Sequence, residues 1–259
     1  MSTPSNERQT ARTLKHGIKS GVATIIIANP PVNVLTVAML REMVAAVRAS
    51  SRAKVLLLSA EGDVFSAGVD VGEHREPHAA EMIASFRALF DALMEFDGIA
   101  VAAVDGAALG GGCELACLCD VIVASDRAEF GQPESQVGVL PPVASVLWPR
   151  AFGYHRALDL LLSGARVSAT DMQSVGLVSR VVPRARFDAT VAETVEQYRA
   201  MSRVVASHVK RACRIGAGDV GAALKQIEAL YLNSLMKSKD ADEGLRAFLE
   251  KRAPRWKDQ

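Results

Sequence analysis

Short unbroken apolar runs, punctuated by turn residues, dominate the first half of the chain. GVATIIIAN (Gly21 to Asn29) reads as a buried strand stopped by Pro30-Pro31. KVLLLSA (Lys54 to Ala60), GIAVAAVDG (Gly98 to Gly106) and DVIVAS (Asp120 to Ser125) read the same way. Between them the period changes to that of a helix. Thr36 is placed to cap a helix with Val37, Leu40, Met43, Val44 and Val47 on one face. Ala79 to Phe96 carries Ile83, Phe86, Leu89, Phe90 and Leu93 at the same spacing. EGDVFSAGVD is predicted to be a turn-rich loop, and Glu114 to Cys119 a short helix. Beyond Pro149 the pattern is mostly helical. Asp219 caps a long helix with Val220, Leu224, Ile227, Leu230, Tyr231 and Leu235 as an apolar stripe suited to core or subunit packing, and a helix over Glu243 to Lys251 closes the chain. Strands alternating with helices, then helices alone, predict an α/β core followed by a helical C-terminal region.

Charge narrows the partners. With 30 basic and 29 acidic residues among 259, the chain has no basic field to neutralise many phosphates, which argues against nucleic acid. Lys251-Arg252 is a local cluster able to meet one anionic ligand. The longest apolar runs fall far short of the roughly 20 residues that span a bilayer, so no membrane segment is expected. The first 17 residues lack a secretory apolar core and are expected to fray. Cys113, Cys117, Cys119 and Cys213 show no zinc spacing; they are expected to be buried free thiols in a reducing cytoplasm.

The chemistry gathers at DGAALGGGCELACLCD (Asp105 to Asp120). A strand entering Gly110-Gly111-Gly112 and then a helix presents backbone N–H groups at a positive helix end. Phosphate binding is one use, but both the dinucleotide and the P-loop spacings fail here. An oxyanion hole is the other. It needs a second donor, for which the small residues Ala67-Gly68 in FSAGVD are suited, and proton-transfer groups, for which Glu114 and Glu134 are candidates. His74 and His78 sit four apart like a metal pair, but Pro77 between them and the lack of a third ligand favour a surface loop. Ser66 lacks the elbow of a serine hydrolase.

FSAGVD, DGAALGGGCELACLCD and FGQPESQVGVLP, with GLVSRVVP and AFLEKRAP further on, together resemble the enoyl-CoA hydratase/isomerase (crotonase) superfamily, from about Gly21 to Lys251. The resemblance implies a spiral of ββα units over residues 1–200 and a C-terminal helical trimerisation region over 201–259. It implies an acyl-CoA substrate, no cofactor, and assembly as a trimer or dimer of trimers. Carried over by position, the oxyanion N–H groups belong to Val69 and Gly111. Glu114 activates water for attack on Cβ, and Glu134 exchanges the proton at Cα. Ala67, Gly68, Asp70, Gly110 and Pro142 flank the substrate, with Asp70 as a structural hydrogen-bond acceptor. Phe248 and Lys251 match positions that touch CoA from a neighbouring subunit.

The chain departs from the family after Glu134, where Pro141-Pro142 and Val143 replace a Pro-Gly-rich stretch and imply an altered acyl pocket. PPVAS, NPPVNVLT and VDVGEH look like the hydratases of cyclohexa-1,5-diene-1-carbonyl-CoA in anaerobic benzoyl-CoA degradation. A general short-chain enoyl-CoA hydratase, a Δ3,Δ2-isomerase using Glu134 alone, a non-catalytic CoA-thioester binder and, remotely, an NAD(P)-binding oxidoreductase stay open.

Overall fold

The structure is a computed structural model that describes residues 13–75 and 77–259; the expected fraying of the opening residues lies largely outside them. In chain order the elements are β1 (Leu14–Lys19), β2 (Val22–Ile27), α1 (Val37–Ala49), β3 (Val55–Ala60), β4 (Val64–Ser66), α2 (Ala79–Glu95), β5 (Ile99–Val104), β6 (Ala107–Leu109), α3 (Gly111–Cys117), β7 (Val121–Ser125) and β8 (Glu129–Gly131). Then come α4 (Pro142–Phe152), α5 (Tyr154–Ser163), β9 (Val167–Ser168), α6 (Ala169–Ser174), β10 (Arg180–Val182), α7 (Arg184–Arg199), α8 (Arg203–Ala217), α9 (Val220–Asn233) and α10 (Lys239–Leu249).

Two sheets form. The larger has the order β1-β2-β3-β5-β7-β10, the smaller β4-β6-β8-β9. Among the described residues only the β1–β2 and β8–β9 pairs are antiparallel. The chain alternates between sheets: β3 then β4 then α2, β5 then β6 then α3, β7 then β8 and the turn Pro133–Val137. Each unit gives one strand to each sheet before turning into a helix, which is the crotonase-type ββα spiral. The apolar runs of β2, β3, β5 and β7 are continuous because helices cover both faces of the large sheet. Leu56, Ala100, Ala102 and Ile122 pack in one core with α1 and α2, while Val55, Val101 and Val123 meet Phe187 and Val191 of α7 in another.

The helix ends follow their capping residues. Thr36 accepts from Met39 N at 3.3 Å, and Asp219 accepts from Ala222 N at 2.8 Å. Three expectations shift. The helix expected from Glu114 begins at Gly111, because its first turn is built of glycines that score as helix breakers. The C-terminal helices begin at Pro142, and Pro149 lies inside α4. The last helix spans Lys239–Leu249, with Ser238 as its cap, and ends before Lys251. Of the cysteines, Cys113 is buried but Cys213 is exposed on α8.

Candidate active site

Three short strands aim the chemistry. β4, β6 and β8 are parallel neighbours in the small sheet, so their C-terminal ends lie side by side. β4 runs into Ala67-Gly68-Val69, β6 into Gly110-Gly111, and β8 into Gln132-Pro133-Glu134. Leu35 N donates to Gly68 O and Asp70 N donates to Leu35 O, which turns the intervening Val69 N–H to the other side of the strand. Gly111 opens α3, where an N–H has no partner within its own helix. Among the described residues neither N–H meets a protein acceptor.

The glycines are required by what approaches them. A Cβ on Gly68 would stand 3.1 Å from Leu109 O, in a backbone conformation (φ +105°) that disfavours side chains. A Cβ on Gly110 would stand 2.9 Å from Glu134 Oε1. One on Gly111 would meet the Val69 side chain at 2.7 Å and Val69 N at 3.5 Å, and one on Gly112 would meet Ser66 Cβ at 2.5 Å. The triplet thus brings the Val69 and Gly111 amides together and admits a carboxylate beside them. Ser66 itself is structural: its hydroxyl donates to Asn33 O at 2.7 Å and accepts from Gly68 N at 3.1 Å.

Glu114 and Glu134 are both buried. Glu114 Oε1 accepts from Val143 N at 2.7 Å and Ala144 N at 2.9 Å, the first free N–H groups of α4. Pro142 opens that helix, where a missing N–H costs nothing. The departure at Pro141-Pro142 therefore supplies a helix end that grips the carboxylate. Burial pushes Glu114 up to about 7 against the pull of those two bonds. Burial and the neighbouring Glu114 charge push Glu134 well above the ordinary carboxylate range. With its amide nitrogen facing Glu134, Gln132 stands 3.1 Å from both carboxylate oxygens.

Both carboxylates border a cavity of about 440 Å³, as do Ala67, Gly68, Val69, Gly110, Gly111, Pro142 and Phe248. Phe248 borders the cavity of its own chain. Asp70 and Lys251 do not border it. Asp70 instead accepts from Gly72 N at 2.8 Å and caps the turn Val71–His74. Lys251 is an exposed residue past the end of α10, and its neighbour Arg252 is bonded to Glu243 and Glu250. His74 is no surface-loop residue: Nδ1 lies 2.7 Å from the Tyr231 hydroxyl, and both residues border the cavity. Tyr231, read from the sequence as one of a packing stripe, is fully buried there, whereas Leu230 on the same helix is 54% exposed. Gln132 and Tyr231 gave no chemical signal in the sequence, and His74 only its spacing from His78, since a contact between distant segments has no spacing of its own. Among the described residues no cluster of three or more acidic, histidine or cysteine side chains is placed to hold a metal, and no helix is long and apolar enough to cross a membrane.

Two glycine-bordered amides and two buried carboxylates thus meet at the strand ends of a ββα spiral. The chain belongs to the enoyl-CoA hydratase/isomerase family, which it matches over residues 17–259. It is 35% identical over 240 residues to cyclohexa-1,5-dienecarbonyl-CoA hydratase of Thauera aromatica, covering 90% of this chain and 92% of that one. It is also 35% identical over 210 residues to a probable enoyl-CoA hydratase of Mycobacterium bovis, covering 78% and 79%. An enoyl-CoA hydratase structure from Mycobacterium avium subsp. paratuberculosis superposes with a TM-score of 0.86 at 28% identity, over 95% of this chain and 99% of that one. One from Geobacillus kaustophilus gives 0.75 at 34%, over 96% and 99%.

Proposed function

We propose that the protein is a hydro-lyase that adds water to a conjugated enoyl-CoA thioester, with the ring of cyclohexa-1,5-diene-1-carbonyl-CoA as the favoured acyl group. The observation that carries this reading is the pair of buried carboxylates, raised to different degrees, beside two unpaired amides. The thioester oxygen sits between Val69 N–H and Gly111 N–H. Those dipoles polarise the carbonyl, make Cβ electrophilic and hold the enolate charge that follows. Glu114, whose proton is lost more readily because two N–H groups bond its oxygen, is the base. Glu134, kept protonated by burial and by the Glu114 charge, is the acid.

In the hydration direction Glu114 takes one proton of water as the oxygen bonds to Cβ. The π electrons move onto the thioester oxygen. They return as Glu134 delivers its proton to carbon, at Cα or at the far end of a conjugated diene. Every electron moves within the substrate, so the chemistry calls for no metal or redox cofactor. The ring preference rests on the Pro141-Pro142 entry to α4 and on the similarity to the Thauera aromatica hydratase, which is matched in identity by a general hydratase. Assembly as a trimer or dimer of trimers is part of the proposal.

The test is a hydration assay across linear and cyclic enoyl-CoAs. Wild type is expected to hydrate the cyclic dienoyl thioester faster than crotonyl-CoA. Glu134→Gln and Glu114→Gln are each expected to lose about 10²- to 10⁴-fold in kcat. Full activity in Glu114→Gln, with double-bond migration as the only product, would establish an isomerase instead.

A further inference from the structure

His74 and Tyr231 form a polar pair at the border of the cavity, which Met82, Ile83 and Leu224 also line, and no step above uses them. They come from unrelated parts of the chain, His74 from the turn after the Val69 loop and Tyr231 from α9. The turn is held firmly: Asp70 caps it, and Glu73 accepts from Val37 N at 2.8 Å. Burial holds His74 down to about 4, so its imidazole is neutral near pH 7. Burial, with the carboxyl groups nearby, pushes the Tyr231 phenol above its ordinary value, so it stays protonated near pH 7.

A neutral imidazole and a phenol together carry two protons on heteroatoms, and their mutual bond uses one. If the phenol donates to Nδ1, the Nε2–H is left; if Nδ1–H donates, the phenol O–H is left. Either way the pair keeps one spare donor. The thioester oxygen already has the Val69 and Gly111 amides, and Cα and Cβ have the glutamates. The spare donor is left for atoms beyond Cβ. We propose that the His74–Tyr231 pair is a specificity subsite for a neutral oxygen, hydroxyl or carbonyl, carried by the acyl group at its end remote from the thioester. An anionic acyl end fits badly. Glu114, Glu134 and Glu228 all border the cavity, and Arg87 is already bonded to Glu228 at 3.3 Å and to Asp91 at 2.9 Å. A hydrocarbon end leaves a buried donor without a partner, the circumstance in which a site discriminates most strongly.

The inference rests on the cavity being an acyl pocket and adds that, between acyl groups of equal size and shape, an oxygenated one is taken ahead of its hydrocarbon counterpart. It is tested with matched enoyl-CoAs, linear and cyclic, that differ only by a terminal hydroxyl in place of a terminal methyl. Wild type is expected to favour the hydroxyl member by about tenfold in kcat/KM. Tyr231→Phe and His74→Leu, checked for folding by thermal melting, are expected to bring that ratio to one or below. An unchanged ratio in both variants, or no preference in wild type, overturns the subsite. If wild type hydrates neither member, the hydratase reading fails first. Calorimetric binding of the saturated hydroxyl- and methyl-ended acyl-CoAs then reads the subsite alone, and equal affinities overturn it.

Discussion

At the scale of residues, Glu114 and Glu134 conflict with stability. A carboxyl whose folded pKa lies above its unfolded value binds protons more tightly in the folded state. Stability from that group is present below the unfolded value, near 4.5, and is lost as pH rises through the folded value, about 7 for Glu114 and higher for Glu134. The predicted consequence is that Glu114→Gln and Glu134→Gln melt several degrees above wild type at pH 8 and lose that advantage toward pH 4. Glutamine keeps the oxygen that accepts from Val143 and Ala144, so the gain isolates the charge. Differential scanning calorimetry across that range checks it; a lower melting temperature for both variants at pH 8 contradicts it. Both carboxylates, and the Val69 and Gly111 amides, were legible as candidates because their motifs are spaced in a recognisable order. His74, Tyr231 and Gln132 were not, because their meaning lies in contacts between distant segments.

At the scale of elements, the four longest inner strands were legible from their apolar runs and the two amphipathic helices from their period. The strands that build the site were not. β4, β6 and β8 have three residues each, too few to show a period, and β4 lies in a stretch that reads as a turn-rich loop. Each is held by a parallel neighbour in the small sheet. The junction of β6 and α3 depends on that pairing. A methyl added at Gly112 would overlap Ser66 on the adjoining strand, so Gly112→Ala is expected to cost about 1–3 kcal/mol in urea denaturation, despite alanine's better helix propensity. A neutral or stabilising effect would mean that the β4 and β6 ends are not locked together.

At the scale of the whole molecule, the spiral is tied to its helical C-terminal region by a buried charge cluster. Lys210 of α8 donates to Asp120 Oδ2 at 2.6 Å and to the carbonyls of Phe96 and Gly98 at 2.9 Å, and Arg214 reaches Asp120 Oδ1 at 3.3 Å. Asp120 Oδ2 also accepts from Ala100 N at 2.8 Å, so one carboxylate joins β5 to α8. Removing one partner of a buried pair leaves the other charge uncompensated. Lys210→Met is therefore expected to lose about 3 kcal/mol of unfolding free energy. A loss below about 1 kcal/mol would show that Arg214 alone carries the junction. Within the C-terminal segment itself, Arg246, Arg252 and the Arg255 amide hold the Glu243 carboxyl well below the usual range.

In the proposed reaction two amides cradle an enolate while one carboxylate takes a proton from water and the other delivers a proton to carbon. Turnover of an enoyl-CoA in oxygen-labelled water, read by mass spectrometry of the acyl product, tests that most directly. One labelled oxygen fixed on the acyl chain at Cβ in wild type, and incorporation slower by about 10²- to 10⁴-fold in Glu134→Gln and Glu114→Gln, is the predicted result. An acyl chain that only shifts its double bond, or that returns unlabelled at full enzyme occupancy, would contradict it.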